Sequence, residues 1–447
     1  MTDDTRYGPA TPGNAAVVQE FLGRPTALQQ PWVESPFFES QLESRKLGPQ
    51  EREWARKYHE QGYLVLEDFF EPRLLDAIVA DYGRLFDPQA RFDAPDHVQR
   101  LLKQDTNRIQ DAWWVSKPVK KLAADERILS LLELLYGRKA IPFQTLNFVR
   151  GTEQATHSDA IHFSSLPARY MCGVWVALED ITERNGPLNY YPGSHRVPEL
   201  RLEEFGVWAP DNEVGVGPHY GRYEDYVRAV ITSRHLEQKR LTCKKGTALI
   251  WASNLLHGGC PILQPGTTRL SQVTHYYFER CLYYTPILSN SVLGEYCLKD
   301  LLDLRSGKPL KHTINGEELD LYALPNGRHR VARKGSSRAL GTLMPQAAPE
   351  TSVPEPAAPE PAAAPAHDAT AAPAMPYPDA AGQPSLATAF AGPSAHVAEV
   401  RRTVLTLMEQ QARVVHAAQD VDPLEKARVI AQLCQVALAA IEPPPRG

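Results

Sequence analysis

The chain has 447 residues, is 43% hydrophobic and 23% charged, and carries a net charge near −5. This is the composition of an ordinary globular protein with two or three domains. The mild acidity and the lack of a basic block exclude nucleic acid or an anionic membrane surface as the expected partner.

The six cysteines (Cys172, Cys243, Cys260, Cys281, Cys297 and Cys434) are scattered with no CxxC pair, so neither a zinc ribbon nor a disulfide framework is expected. No 18 apolar residues run together, and the opening MTDDTRYGPATPGNAAVVQE is polar, so neither a membrane span nor a signal peptide is expected and the cytoplasm is the default location.

Residues 1–46 lack periodicity and read as an extension, with order expected from about Leu47. LGPQEREWARKYHEQG then reads as a helix and GYLVLEDFF as a strand and turn. In EPRLLDAIVADYGRLF, Leu74, Leu75, Ile78, Val79 and Tyr82 fall at helical spacing. DERILSLLELLYG is a further helix closed by Gly137. From Ala140 to Leu282 the texture changes to short apolar runs between turn signals: IPFQTLNFV, RYMCGVWVAL, LNYYPGSH, TALIWA and RLSQVTHYYFERC. The pattern predicts a mainly β, α+β domain over 47–342, a jelly roll with a helical support layer. A helix is expected around SNSVLGEYCLKDLLDL and a hairpin over NGEELDLYALPNG. Residues 343–395 are dense in Pro and Ala and read as a linker. Residues 396–442 carry two apolar stripes at helical spacing, a C-terminal helical hairpin too small to stand alone; a homo-oligomer or a protein partner would cover it.

The chemistry begins at His157-Ser158-Asp159. In extended backbone, residues i and i+2 share a face, so this His and carboxylate can hold one metal ion from one side. His257 follows the apolar strand TALIWA and supplies a third ligand. Two His and one carboxylate leave three coordination positions open, the arrangement of non-haem iron(II) oxygenases. Arg269, 12 residues beyond His257, suits the far carboxylate of a chelating 2-oxo acid because its planar fork binds a carboxylate through two hydrogen bonds. Ser271 would share its face and add a hydroxyl. Each piece alone has a bland reading, as a solvated turn, a structural histidine or a surface charge; order and context set them apart.

The run HSDAIHFSSLPARYMCGVWVALEDITERNGPLNYYPGSH resembles the core of the phytanoyl-CoA dioxygenase family. His157/Asp159, Trp175, the turn Asn185-Gly186-Pro187-Leu188 and the loop Pro192-Gly193-Ser194-His195 carry the resemblance, with His257-Gly258 and Arg269 matching the family's distal histidine and 2-oxoglutarate arginine. It covers roughly residues 50–285 and implies a double-stranded β-helix (cupin-like) that uses Fe(II), 2-oxoglutarate and O2.

Trp175 is either a wall of the 2-oxoglutarate pocket or a core tryptophan. Gln144 and Asn147 are candidates to bond the co-substrate or substrate, against the alternative of a solvent-facing strand edge. His162 could approach the substrate, His195 would brace its own loop, Tyr190 and Tyr191 would face opposite ways, and Arg150 could meet an anion or lie on the surface. The expected activity is a 2-oxoglutarate-dependent dioxygenase that hydroxylates an unactivated C–H bond of a small molecule, releasing succinate and CO2. Its pocket is expected in loops 90–115 and 200–235, whose aromatic and Arg content suits a polar or anionic molecule. The alternatives are a cupin-like metalloenzyme without 2-oxoglutarate, which Arg269 opposes, and a non-catalytic scaffold, which the complete triad opposes.

Overall fold

The computed structural model describes residues 30–102, 105–199, 201–209 and 217–335. The expected linker and C-terminal hairpin lie outside these residues. Order begins earlier than Leu47. Trp32 and Val33 are buried in a 3-10 turn, and helix α1 (Phe38–Ser44) buries Phe38 and Leu42, so residues 30–46 belong to the folded body rather than to an extension.

Helix α2 (Pro49–Gln61) starts as its sequence dictates. Pro49 opens the first turn, and the Glu51 carboxylate accepts from the Gly48 N–H at 2.7 Å. Gly62, at φ 77°, ends it and turns the chain into strand β1 (Tyr63–Leu66). Helix α3 (Pro72–Leu85) buries Leu75, Ile78, Tyr82 and Leu85, a single stripe at helical spacing. Helix α4 (Asp96–Leu102), strand β2 (Arg108–Gln110), helix α5 (Lys117–Ala123) and helix α6 (Glu126–Tyr136) follow. Asp125 caps α6 by accepting from Arg127 N–H, and Gly137 closes it at φ 72°.

The sheets come next: β3 (Ala140–Phe148), β4 (Ser164–Leu166), β5 (Met171–Ala177), β6 (Leu188–Tyr190), helix α7 (Gly217–Ser233), β7 (Lys239–Arg240), β8 (Ala248–Ala252), β9 (His257–Gly259), β10 (Ser271–Phe278) and β11 (Leu282–Tyr284). Six strands form an antiparallel sheet in the order β1-β8-β5-β10-β3-β2, and three form a second sheet, β7-β6-β9. Strand β5, at the centre, is buried at every position, which explains its unbroken apolar run: both faces are covered. One face meets the helices. Tyr82 donates to Ser271 O (2.9 Å) and Tyr276 to Ala123 O (2.8 Å), which ties α3 and α5 to β10. The other face meets the three-stranded sheet. Trp175, Leu249, Trp251 and Val273 pack there with Leu188 and Tyr190, and the Tyr63 and Tyr190 rings lie 4.6 Å apart.

The remaining strands are β12 (Glu295–Tyr296), β13 (Thr313–Ile314), β14 (Glu317–Ala323) and β15 (His329–Arg333), ordered β12-β15-β14-β13. The expected hairpin is present as β14–β15. The helix expected over SNSVLGEYCLKDLLDL is not formed. Gly294 at φ 71° breaks it, and the chain pairs beside β11 through Thr285 N–H to Cys297 O (2.9 Å) and Lys299 N–H to Tyr283 O (3.1 Å). Here sheet pairing outweighs helical spacing. Among the described residues, Cys172, Cys243, Cys260, Cys281 and Cys297 are free thiols, and no helix is long and apolar enough to cross a membrane.

Candidate metal centre

His157, Asp159 and His257 are all buried, and one ligand atom from each lies within 4.8 Å of the other two. Backbone pairing brings them together. His157 N–H donates to His257 O (2.9 Å), and His257 N–H donates back to His157 O (2.8 Å). Asp159 then opens a 3-10 turn (Asp159–Ile161). The Tyr223 hydroxyl, from α7, accepts from Ser158 N–H at 2.7 Å and holds the middle of the motif.

The side chains are oriented for a cation. His157 Nδ1 meets Ala155 O at 3.0 Å and His257 Nδ1 meets Leu255 O at 2.9 Å. Both rings therefore carry the proton on Nδ1 and direct the Nε2 lone pair inward, as metal-bound imidazoles do. Those Nε2 atoms lie 3.9 and 3.8 Å from the same oxygen, Asp159 Oδ1. The other oxygen, Oδ2, accepts from the Trp251 indole N–H at 2.7 Å, with His275 Nε2 3.6 Å away. One carboxylate oxygen is thus fixed by the protein and the other is left for the metal.

Burial, with repulsion from His257, pushes the His157 imidazole down to about 3, so it is neutral and able to ligate. Burial alone would raise the Asp159 carboxyl, but His257, His275 and His157 outweigh it and hold it well below the usual range. Two imidazoles and one carboxylate, all buried and with their ligand atoms converging on one point, fit iron(II).

Arg269 is 3% exposed, and no carboxylate lies within 4 Å of it among the described residues. Its Nη1 donates to Ser271 Oγ (3.4 Å), and its Nε has no partner. The guanidinium sits 5.6 Å from the Phe148 ring and 5.8 Å from the Trp175 ring. The Trp175 indole N–H is also buried and unpartnered. Burial lowers the Arg269 pKa to about 10 against weaker attraction from Tyr82 and Glu179, so the cation persists, with no carboxylate in direct contact among the described residues. A buried charge without a counter-ion is costly, and an anionic ligand removes that cost. The two orphaned N–H groups and the Ser271 hydroxyl suit the far carboxylate of 2-oxoglutarate.

The other candidates sort by strand parity. Gln144 faces the interior, and its Oε1 lies 2.9 Å from His275 Nδ1, so it reaches Asp159 only through that imidazole. Asn147 does not join the site. It points to the helical layer, where its amide meets Tyr82 (3.4 Å) and Gln272 (3.3 Å). His162 stacks on Tyr220 with ring centroids 5.4 Å apart. His195 Nε2 bonds His59 O (3.0 Å), which braces its loop. Tyr190 packs inside, while Tyr191 packs outside with Val197 and Tyr223. Arg150 is exposed on an open cleft shared with Arg108 and Gln154. Sequence reasoning missed Trp251, His275 and Gln154, whose amide lies 3.5 Å from His157 Nε2. It also read 200–235 as loop, although Gly217–Ser233 is a helix.

The profile described as Phytanoyl-CoA dioxygenase (PhyH) matches residues 58–269. The ectoine dioxygenase of Sphingopyxis alaskensis is 28% identical over 225 residues, covering 46% of this chain and 68% of the relative. That of Nocardia farcinica is 26% identical over 266 residues, 54% of this chain and 81% of the relative. The phytanoyl-CoA dioxygenase domain-containing protein 1 of Danio rerio is 25% identical over 217 residues, 38% and 74% of the two chains. Among solved structures, EctD from S. alaskensis with 2-oxoglutarate and 5-hydroxyectoine is 22% identical, at a TM-score of 0.39, over 52% of this chain and 76% of that one. The nogalamycin-biosynthesis epimerase SnoN is 19% identical, at a TM-score of 0.41, over 59% and 95%. Residues 58–269 thus match the phytanoyl-CoA dioxygenase family model, and the protein is a 2-oxoglutarate-dependent non-haem iron dioxygenase that takes O2 as its second co-substrate.

Proposed function

We propose that the protein hydroxylates an unactivated C–H bond of a small molecule, with His157, Asp159 and His257 as the iron ligands and Arg269 as the anchor of 2-oxoglutarate. When bound, iron(II) with its two co-substrates supplies the oxidation: 2-oxoglutarate and O2 become succinate and CO2, and one oxygen atom enters the substrate. The chain's own residues prepare that event. The Nδ1 contacts aim both imidazoles, Trp251 orients Asp159, and Arg269, Ser271 and Trp175 offer the donors for the co-substrate. The facing six- and three-stranded sheets support reading the barrel as a double-stranded β-helix.

The observation that carries this reading is the buried, unpaired Arg269 guanidinium, which shares one interior with the triad. A cupin-like enzyme that needs no 2-oxo acid would have no use for such a charge. The test is anaerobic titration of iron(II) and then 2-oxoglutarate. Asp159→Ala is expected to bind no iron. Arg269→Ala is expected to keep iron and lose about 3–5 kcal/mol of 2-oxoglutarate affinity, the cost of breaking a buried charge pair. Normal 2-oxoglutarate affinity in Arg269→Ala would move the anchor elsewhere.

A further inference from the structure

We propose that Lys299 binds an anionic group of the organic substrate, so that the substrate class is small molecules bearing a carboxylate or a phosphate. The inference rests on the metal-centre reading above and names what that site would accept.

Pairing places Lys299 near the triad, although it lies 42 residues past His257 (299 minus 257). Its backbone runs beside β11, through Lys299 N–H to Tyr283 O, and β11 pairs with β4, Tyr284 opposite Ser164. Strand β4 begins five residues past Asp159. The ammonium thereby arrives over the Phe163 ring, 4.3 Å from its centroid. Phe163 lies 5.0 Å from the His275 ring, whose Nε2 is 3.6 Å from Asp159 Oδ2.

No hydrogen bond or ion pair reaches the Lys299 side chain among the described residues. Burial lowers its pKa to about 8, so it is mostly charged at neutral pH. Contact with a phenyl face offsets only part of an ammonium's lost hydration, and an anion would complete it. That anion is not the far carboxylate of 2-oxoglutarate, which has its own cation. Arg269 lies two residues before β10 and His275 within it, six residues and about 20 Å of extended chain apart, so Arg269 and the Lys299 ammonium beside the His275 end are well separated. The Phe163 ring beside the ammonium packs on His162, which stacks on Tyr220, and this aromatic cluster would contact the substrate's carbon skeleton.

The test uses the full chain loaded anaerobically with iron(II) and 2-oxoglutarate, with acetate and methyl phosphate titrated in and their binding read by calorimetry. Wild type is expected to bind at least one of the two. Lys299→Met and Lys299→Gln should weaken that binding about tenfold or more, and Lys299→Arg should restore it. The preferred probe tells carboxylate from phosphate. Equal binding to wild type and both neutral variants, or no binding to wild type, would overturn the inference while the metal-centre reading stands. A wild-type chain that takes up no 2-oxoglutarate would overturn both.

Discussion

At the scale of single residues, the Asp159 carboxylate shows how the site is set. Its Oδ2 is held by the Trp251 indole N–H at 2.7 Å, and its Oδ1 faces both histidines. Trp251→Phe removes the indole N–H donor together with part of a fully buried ring, so a packing loss accompanies the lost hydrogen bond. A hydrogen bond to a charged group contributes about 1.5–3 kcal/mol, and loss of such a partner costs metal affinity about 10–100-fold. Chelator competition on the wild-type and Trp251→Phe proteins would measure it, and matched affinities would show that the indole does not orient the ligand. The candidate ligands His157 and Asp159 could be picked out because HxD needs only period-two geometry. Trp251 was not, since a tryptophan inside TALIWA reads as core and nothing local says that its N–H crosses to Asp159. The Asn147 assignment failed for a reason that period two could have supplied. Residues 144 and 147 differ by an odd number, so one strand cannot point both inward.

At the scale of elements, strand β5 carries a glycine where its neighbours demand side chains. A Cβ at Gly173 would stand 2.4 Å from the Trp251 ring, which crosses over this position on its way to Asp159. Gly173→Ala must therefore push the indole, at an overpacking cost of about 1–3 kcal/mol, and it should also weaken metal binding. The double variant Gly173→Ala/Trp251→Phe is expected to lose less metal affinity than the two single losses combined, because both act through one contact. Strict additivity in a chelator-competition cycle would separate the glycine from the carboxylate. Strands β3, β5, β8 and β10 were readable from their apolar runs. Helix α7 was not: Gly217, Pro218 and Gly221 mask the helical spacing of Tyr223, Val227 and Val230, which pack against Tyr191 and Val197. The segment after β11 misled in the opposite direction, since its leucines match a helix but its backbone bonds go to a sheet.

At the scale of the folded body, a six-stranded sheet, a facing three-stranded sheet and a helical layer bring the triad together from segments far apart in sequence and bury Arg269. That convergence is tertiary, so spacing could suggest the partners but not their distances. The core is hydrophobic and extensive, unlike small metal domains that unfold without their ion. Removing metal with a chelator is therefore expected to leave the fold intact. Saturating metal at about 100 times its Kd adds about 2.7 kcal/mol, a rise of a few degrees in melting temperature. Unfolding on chelation, followed by circular dichroism, would show instead that the ion holds the sheets together.

The reciprocal backbone bonds between His157 and His257 carry a consequence for the protein's life in a cell. Because the two imidazoles are already paired and aimed, an arriving ion does not have to assemble its own coordination sphere. Such a pocket welcomes intruders: for nitrogen and oxygen ligands, zinc(II) and copper(II) ordinarily outbind iron(II). These three ligands alone do not refuse them, so correct loading falls to the supply of free ions around the protein. Competition between iron(II) and zinc(II) for the purified apoprotein should favour zinc, and a preference for iron would reveal a selectivity that these three ligands do not explain.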